Sequence, residues 1–326
     1  MPRVLTRDEV TRLLTMDDAI HAVERALVEF STGEAVMPVR GTTAVPEHEG
    51  LLLTMPAYLR RSDALATKLV TVYPQNPRRG LPVILAVIVL FDAQSGAPLA
   101  MMDGVHVTAV RTAAASAVAT KYLAREDARV LGIIGTGVQG ASHLWAMRTV
   151  RPIERVVVFN RTRAKAEQFA RTMQAEHGVP VVVEDSAEAV VRAADILVLA
   201  TAGPEPLIRA DWLKPGCHIN AIGTHTPTTR ELDSETVARA RVVVDSRDAN
   251  RAECGDLLIP VQEGYITLAH FEDEIGEIAA GRKPGRRSPD ELTIFKSVGI
   301  AVEDAATAAL VYQRAVEQGI GTEVAL

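Results

Sequence analysis

Three patterns in the sequence predict an α/β protein in two parts. Six short apolar runs between residues 130 and 244 alternate with helix-compatible stretches, as strands of a parallel sheet do. A glycine-rich turn, Gly135-Thr136-Gly137-Val138-Gln139-Gly140, joins the first run to its helix. Upstream, apolar runs follow one another without helices between them, as in an antiparallel or mixed sheet. The expectation is a Rossmann doubly wound parallel sheet over 126–300, with a second, mixed α/β domain made of 1–125 and 301–326.

The elements follow in chain order. Thr6-Arg7-Asp8-Glu9 has the form of a capping box and opens a short helix. Thr15 starts a second, in which Ile20, Val23, Leu27 and Phe30 recur at helical spacing until Gly33. Val36 to Val45 reads as one strand carrying Arg40, and Leu51 to Thr54 as another, ended by Met55-Pro56. Leu65 to Val72 is strand-like and holds Lys68 among apolar and β-branched neighbours. Val83 to Phe91 and Leu99 to Met102 form a hairpin about Ser95-Gly96. Val105 to Leu123 is an alanine-rich helix containing Arg111. The runs Val130–Ile134, Val156–Phe159, Val181–Val183, Ile196–Ala200, Ile219–Ile222 and Val242–Val244 are the six strands of the second sheet. Ser288-Pro289-Asp290-Glu291 looks like a helix start, and Ile300 to Gln318 is a final helix expected to return to the first domain.

The glycine turn has the order strand, turn, helix, strand of a dinucleotide-binding unit. Gly135 permits the tight turn, Gly137 lets backbone N–H groups approach a pyrophosphate, and Gly140 lets helix and strand pack closely. Thr136, Val138 and Gln139 complete the cradle at the helix N-terminus, where unpaired N–H groups and the dipole favour an anion. Asn160 lies twenty residues after Gly140, where an acid would bind the ribose hydroxyl of NAD. Asn160 is followed by Arg161, Thr162 and Arg163, with no carboxylate among them. The two guanidiniums favour NADP(H), since they can clamp a 2′-phosphate; solvated charges on the next helix are the plainer reading, and NAD(H) stays open.

Composition narrows the classes. The chain has 326 residues, 48% of them hydrophobic, and a net charge of −6, which gives no general attraction to nucleic acid or acidic lipid. No charged-then-apolar leader opens it, and its longest apolar run is too short to span a bilayer. Cys217 and Cys254 and the eight histidines show no metal-ligand spacing. Reduced thiols and a cytoplasmic location are expected.

Arg40, Lys68 and Arg111 are cations at apolar-flanked places, and each should meet an anion. Private salt bridges are one solution. A shared pocket for a substrate carboxylate is the other, with Arg40 and Arg111 as forks and Lys68, beside two permanent cations, at a lowered pKa that suits proton exchange. His225 follows the fifth strand of the second sheet, at the end where such folds place ligands.

As a set, several stretches are similar to the ornithine cyclodeaminase/mu-crystallin family over essentially the whole chain. They are LLLTMPAY at Leu51–Tyr58, ATKLVTVYPQNPRRGLP at Ala66–Pro82, VRTAAASAVATKYLA at Val110–Ala124, IIGTGVQG at Ile133–Gly140, AECGDLLIP at Ala252–Pro260 and IFKSVGIAVED at Ile294–Asp304. The resemblance implies a homodimer joined through a substrate-binding N-terminal domain. It implies substrates that are small amino, keto or cyclic imino acids. It assigns Arg40, Met55, Lys68 and Arg111 to the substrate, with Lys68 and Arg111 in catalysis; His225 is added to the catalytic candidates from its place after the fifth strand. To the cofactor it adds Thr112, Thr201, Ala202 and Lys296, and Asn160–Thr162 look like the NADP-using mu-crystallin branch. One departure stands out: His225 occupies the place where the cyclodeaminases carry an aspartate, and Glu231 and Asp233 are the nearby acids that could replace it.

Three functions follow in order of expectation. The first is an NADP(H)-dependent oxidoreductase interconverting an imino or keto acid and a small amino acid. The second is an ornithine cyclodeaminase-type lyase with bound NAD. The third is a mu-crystallin-like protein that binds cofactor and ligand without turnover.

Overall fold

The computed structural model describes every residue except Ala202, Pro204 and Leu326. Its residues gather into two units, Met1–Thr112 with Ile300–Leu326, and Ala113–Gly299. The division falls inside the helix Gly104–Leu123.

The first unit is a mixed sheet with helices laid on it. Thr6 and Glu9 form the expected capping box for the helix Arg7–Leu13, and Thr15 caps Met16–Ser31. The sheet runs in the order Thr322–Glu323, Arg3–Leu5, Pro98–Asp103, Ile84–Asp92, Ala64–Val72, Gly50–Leu59, Ala35–Val36, with Gly41–Val45 also paired to Gly50–Leu59. The helix Ala301–Gln318 packs on its central strands and on Met16–Ser31. The alternate residues Leu53, Met55, Ala57 and Leu59 are buried, as are Ala66, Lys68 and Val70 on the neighbouring strand.

Two strand expectations change here. The run Val36–Val45 is broken, so Arg40 stands in the link just before Gly41–Val45 rather than within a strand. The strand expected to end at Met55-Pro56 continues to Leu59. Pro56 is tolerated because it lies between the stretches that pair with Gly41–Val45 and with Ala35–Val36, where that edge has no neighbour needing its N–H.

The second unit is a parallel sheet of eight strands. Its order is Val181–Val183, Arg155–Phe159, Val130–Ile134, Ile196–Leu199, His218–Ala221, Thr293–Lys296, Arg241–Val244, Asp273–Glu274. All six expected strands are present. Thr293–Lys296 inserts between the fifth and the sixth, and Asp273–Glu274 adds an edge. Residues 288–291 start no helix; Pro289 and Asp290 form a turn that feeds the inserted strand. The strand is buried at all four positions, so a four-residue run ending in lysine carries no alternation to reveal it. No helix among the described residues is long and apolar enough to cross a membrane.

Candidate active site

Lys68 sits on the strand Ala64–Val72, with Met55 opposite it on one neighbouring strand and Ile88 on the other. This apolar setting leaves its side chain 2% exposed. An ammonium there needs an anion, and the final helix supplies one: Asp304 Oδ2 lies 2.8 Å from Lys68 Nζ. The same carboxylate accepts from Arg111 Nε at 3.0 Å, and Glu303 accepts from Arg111 Nη1 at 2.6 Å. Glu303 and Asp304 occupy the first turn of the helix Ala301–Gln318, where the helix dipole also favours negative charge. Two cations and two anions thus balance in a buried cluster.

The cluster tunes its members in opposite directions. Burial, and then the Arg111 guanidinium, push the Lys68 ammonium down to about 8, against the pull of Asp304 and Glu303. For Arg111, burial works against the charge, yet Asp304 and Glu303 outweigh it and the guanidinium is held more firmly protonated than usual. The lowered Lys68 was expected from neighbouring cations; burial is the larger cause. The picture of three cations awaiting a substrate carboxylate needs correction, because Lys68 and Arg111 are already engaged by Glu303 and Asp304. Their contacts to those acids use Nε and Nη1 of Arg111. Arg40 is half-buried in its link. Thr112 turns back along its own helix, its hydroxyl donating to the Thr108 carbonyl at 2.7 Å.

In the second unit the glycine turn has the geometry its residues imply. Gly135 has φ of +106°, and a Cβ there would sit 2.3 Å from the Ala200 carbonyl oxygen. A Cβ on Gly140 would meet the Gly135 oxygen at 2.4 Å. Gly137 differs: a Cβ there would meet nothing within 4 Å, and no side chain caps the helix that begins after it. An open approach to an uncapped helix N-terminus suits a pyrophosphate. A cavity of about 480 Å³ lies beside it, lined by Thr136, Asn160, Arg161, Thr201 and Leu207 among others. Asn160 Nδ2 donates to the Thr136 hydroxyl at 2.7 Å, and its oxygen accepts from Thr162 N at 2.9 Å, so Asn160 braces the wall. Val138 is exposed and Gln139 half-buried on the first turn of the helix.

Three residues expected on this side are not in the lining of that cavity among the described residues. Arg163 is bound to Glu167 at 3.0 Å and to Asp185, so Arg161 alone of the two guanidiniums lines the cavity. Lys296 is fully buried and pairs with Asp256 at 2.8 Å; its ammonium also donates to the Thr224 carbonyl at 2.8 Å. Burial opposes that charge, but the Asp256 and Glu231 carboxylates hold it on, and the pair anchors the strand end. His225 is exposed on the loop after His218–Ala221. Ala202, also expected at the cofactor, lies outside the described residues; Thr201 is described and lines the cavity.

Sequence reasoning missed Glu303, Asp304 and Asp256. The available signal was a pair of acids opening an otherwise alanine-rich, buried helix, and an aspartate between Cys254 and Leu257 in an apolar run. Neither nearby acid replaces the absent aspartate. Glu231 spends its oxygens on Thr201 and Gly223, and Asp233 caps the helix Ser234–Arg239 by accepting from Thr236 N. Among the described residues no group of His, Cys, Asp or Glu is arranged to hold a metal ion.

Comparison with known proteins shows the family. The sequence model described as the ornithine cyclodeaminase/mu-crystallin family matches residues 1–319. A Δ1-pyrroline-2-carboxylate reductase of Bacillus cereus is 41% identical over 98% of this chain and 99% of its own. The ketimine reductase mu-crystallin of Rattus norvegicus is 41% identical over 95% of this chain and 96% of its own. The structure of a Thermococcus litoralis Δ1-pyrroline-2-carboxylate reductase, in complex with NADH and L-proline, is similar with a TM-score of 0.96. It is 46% identical, over 99% of this chain and 100% of that one.

Proposed function

Because the chain belongs to the ornithine cyclodeaminase/mu-crystallin family, we propose that it reduces the C=N bond of a small cyclic imino acid of the pyrroline-2-carboxylate kind, with NADPH preferred. It is an NAD(P)-dependent reductase of that family. The observation that carries the substrate reading is Lys68: an ammonium buried beside Arg111, held by Asp304 and lowered to about 8. Such a group holds a proton at neutral pH and can release it to a substrate nitrogen. Reduction of an imine needs a hydride at carbon and a proton at nitrogen. The nicotinamide supplies the hydride when bound. Lys68 Nζ supplies the proton, Asp304 keeps that nitrogen oriented, and Arg111 offers a donor to the substrate carboxylate. Arg40 and Met55 are read as further substrate contacts.

On the cofactor side, Thr136–Gln139, Asn160, Arg161 and Thr201 are read as the dinucleotide wall. The NADPH preference now rests on Arg161 and on the uncharged Asn160 beside it. Ornithine cyclodeamination ranks lower, since a carboxylate that would bind the diamine is replaced by His225 while Glu231 and Asp233 are committed elsewhere. We read Met1–Thr112 with Ile300–Leu326 as the substrate and dimerisation unit. Its exposed Leu85 and Met101 share one face of the sheet and offer apolar surface suited to a second copy. The buried, unpaired thiols Cys217 and Cys254 suit the cytoplasm.

The test is a spectrophotometric screen of NADPH and NADH oxidation against five- and six-membered cyclic imino acids, and against keto acids with amines. In parallel, L-ornithine with catalytic NAD is assayed for proline and ammonia. Cyclic imine reduction is expected; proline from ornithine without imine reduction reverses the ranking.

A further inference from the structure

Glu231 is wholly buried in the second unit, and three donors converge on its carboxylate. Oε1 accepts from Thr201 N at 2.8 Å and from the Thr201 hydroxyl at 2.7 Å. Oε2 accepts from Gly223 N at 2.7 Å. The backbone of the same residue reaches the other end of the loop, its carbonyl accepting from Leu207 N at 2.9 Å. Thr201 and Leu207 both line the dinucleotide cavity, so one residue holds both ends of a wall. There is no slack between the turns: a Cβ on Gly223 would lie 2.0 Å from the Thr201 oxygen. Glu231 is itself held, its N–H donating to Asp256 at 2.6 Å, and Asp256 pairs with Lys296.

We propose that Glu231 is a positioning residue for the dinucleotide, clamping Thr201 and Leu207 against the turn at Gly223. The proposal rests on reading that cavity as the cofactor site. An ionised carboxylate is the side chain that accepts at both ends without presenting a donor. Glutamine in its place turns an amide N–H₂ toward either Gly223 N or the Thr201 donors. Protonation has the same defect in milder form.

The titratable groups around Glu231 are Asp256, in the helix Gly255–Gln262, and Lys296, on the inserted strand. Cys254 stands beside both and stays a thiol, pushed up to about 12 by burial. His225, two residues past Gly223, is exposed. Burial and then Asp256 raise Glu231 to about 7, against Lys296 and the Thr201 bonds. The clamp therefore tightens as pH rises through about 7 and loosens below it.

The experiment is fluorescence titration of the full chain with NADH between about pH 6 and about pH 8. NADH is the probe because the extra phosphate of NADPH itself titrates near 6. Wild type, Glu231→Gln and Thr201→Val are compared. Wild type should bind more tightly as pH rises. Glu231→Gln should weaken binding by about tenfold to a hundredfold at pH 8, the loss of one charge-assisted bond, and should flatten the pH dependence. Thr201→Val, which loses one of three bonds, should bind less tightly than wild type and keep the slope. If Glu231→Gln does not fold, the Thr201→Val result and the wild-type slope still decide. Weakening that is equal at every pH would mark Glu231 as merely structural and overturn the proposal, as would three identical titrations. Wild type that binds neither NADH nor NADPH would remove the cavity reading and this proposal with it.

Discussion

Replacing Asp304 with asparagine tests the proton-donor role of Lys68 without touching Lys68. Asp304 is 2.8 Å from Lys68 Nζ and 3.0 Å from Arg111 Nε, and all three groups are buried. Removing one partner of a buried pair costs about 3–5 kcal/mol if the stranded charge stays. Arginine cannot discard its proton, but Lys68 can, and it starts at about 8. At 1.36 kcal/mol per pKa unit, even the lower figure corresponds to a shift of roughly two units. The ammonium pKa should therefore fall to about 6 or below. The sign follows directly. The donor is the protonated lysine, so wild-type kcat/KM for imine reduction should decline as pH rises through about 8. In Asp304→Asn the same decline should begin near or below pH 6, giving at least a tenfold loss at pH 7 from protonation state alone. The assay is the pH profile of kcat/KM at saturating NADPH, with a thermal melt of each protein at pH 7. A variant whose decline stays near 8 would refute the reasoning, because Asp304 would then not be what keeps the proton on Lys68.

Three further outcomes are expected. Lys68→Met should abolish turnover while NADPH affinity stays near wild type, and Lys68→Arg should not restore it, because arginine holds its proton at any working pH; steady-state rates and cofactor titration check this. Wild type should bind NADPH at least tenfold more tightly than NADH, as one or more charge-assisted bonds of about 1.5–3 kcal/mol imply. Arg161→Ala should remove most of that preference and Arg163→Ala little of it, since Arg163 is held by Glu167 and Asp185; equal affinities in wild type end this argument. Lys296→Met should strand Asp256 and lower stability by about 3–5 kcal/mol in urea unfolding, and unchanged stability would mean that the pair is not a strut.

The glycine turn was readable because two of its three glycines answer a local steric demand. At Gly135 and Gly140 a side chain would run into backbone a few ångströms away. The capping residues Thr6 and Thr15 were readable for the same reason, since their partners lie three residues on. Lys68 and Arg111 were recognisable as costly, but their partners were not, because Glu303 and Asp304 lie more than 190 residues from Arg111. The partner of Lys296 was hidden in the same way, since Asp256 lies forty residues away in sequence. The inserted strand and Pro56 show the same limit: both depend on what a neighbouring strand offers, and a single strand does not carry that information.

The unit that holds Lys68 is sewn from both sides of the other: Met1–Thr112 and Ile300–Leu326 belong together, with Ala113–Gly299 inserted between them. On the ribosome this sets an order. Strands Gly50–Leu59 and Ala64–Val72 leave the exit tunnel long before residues 301–318, so Lys68 and Arg111 emerge without Glu303 and Asp304. Burying them then would strand two cations, so the first sheet has an electrostatic reason to stay open while Ala113–Gly299 is made. The outer edge of Arg3–Leu5 stays unpaired as well until Thr322–Glu323 is made, although its inner edge already has Pro98–Asp103. A nascent chain interrupted before residue 300 can complete its parallel sheet, yet it has no neutral cluster around Lys68. Protein synthesis thus completes the charge-balanced cluster around Lys68 only after the whole parallel sheet has been made.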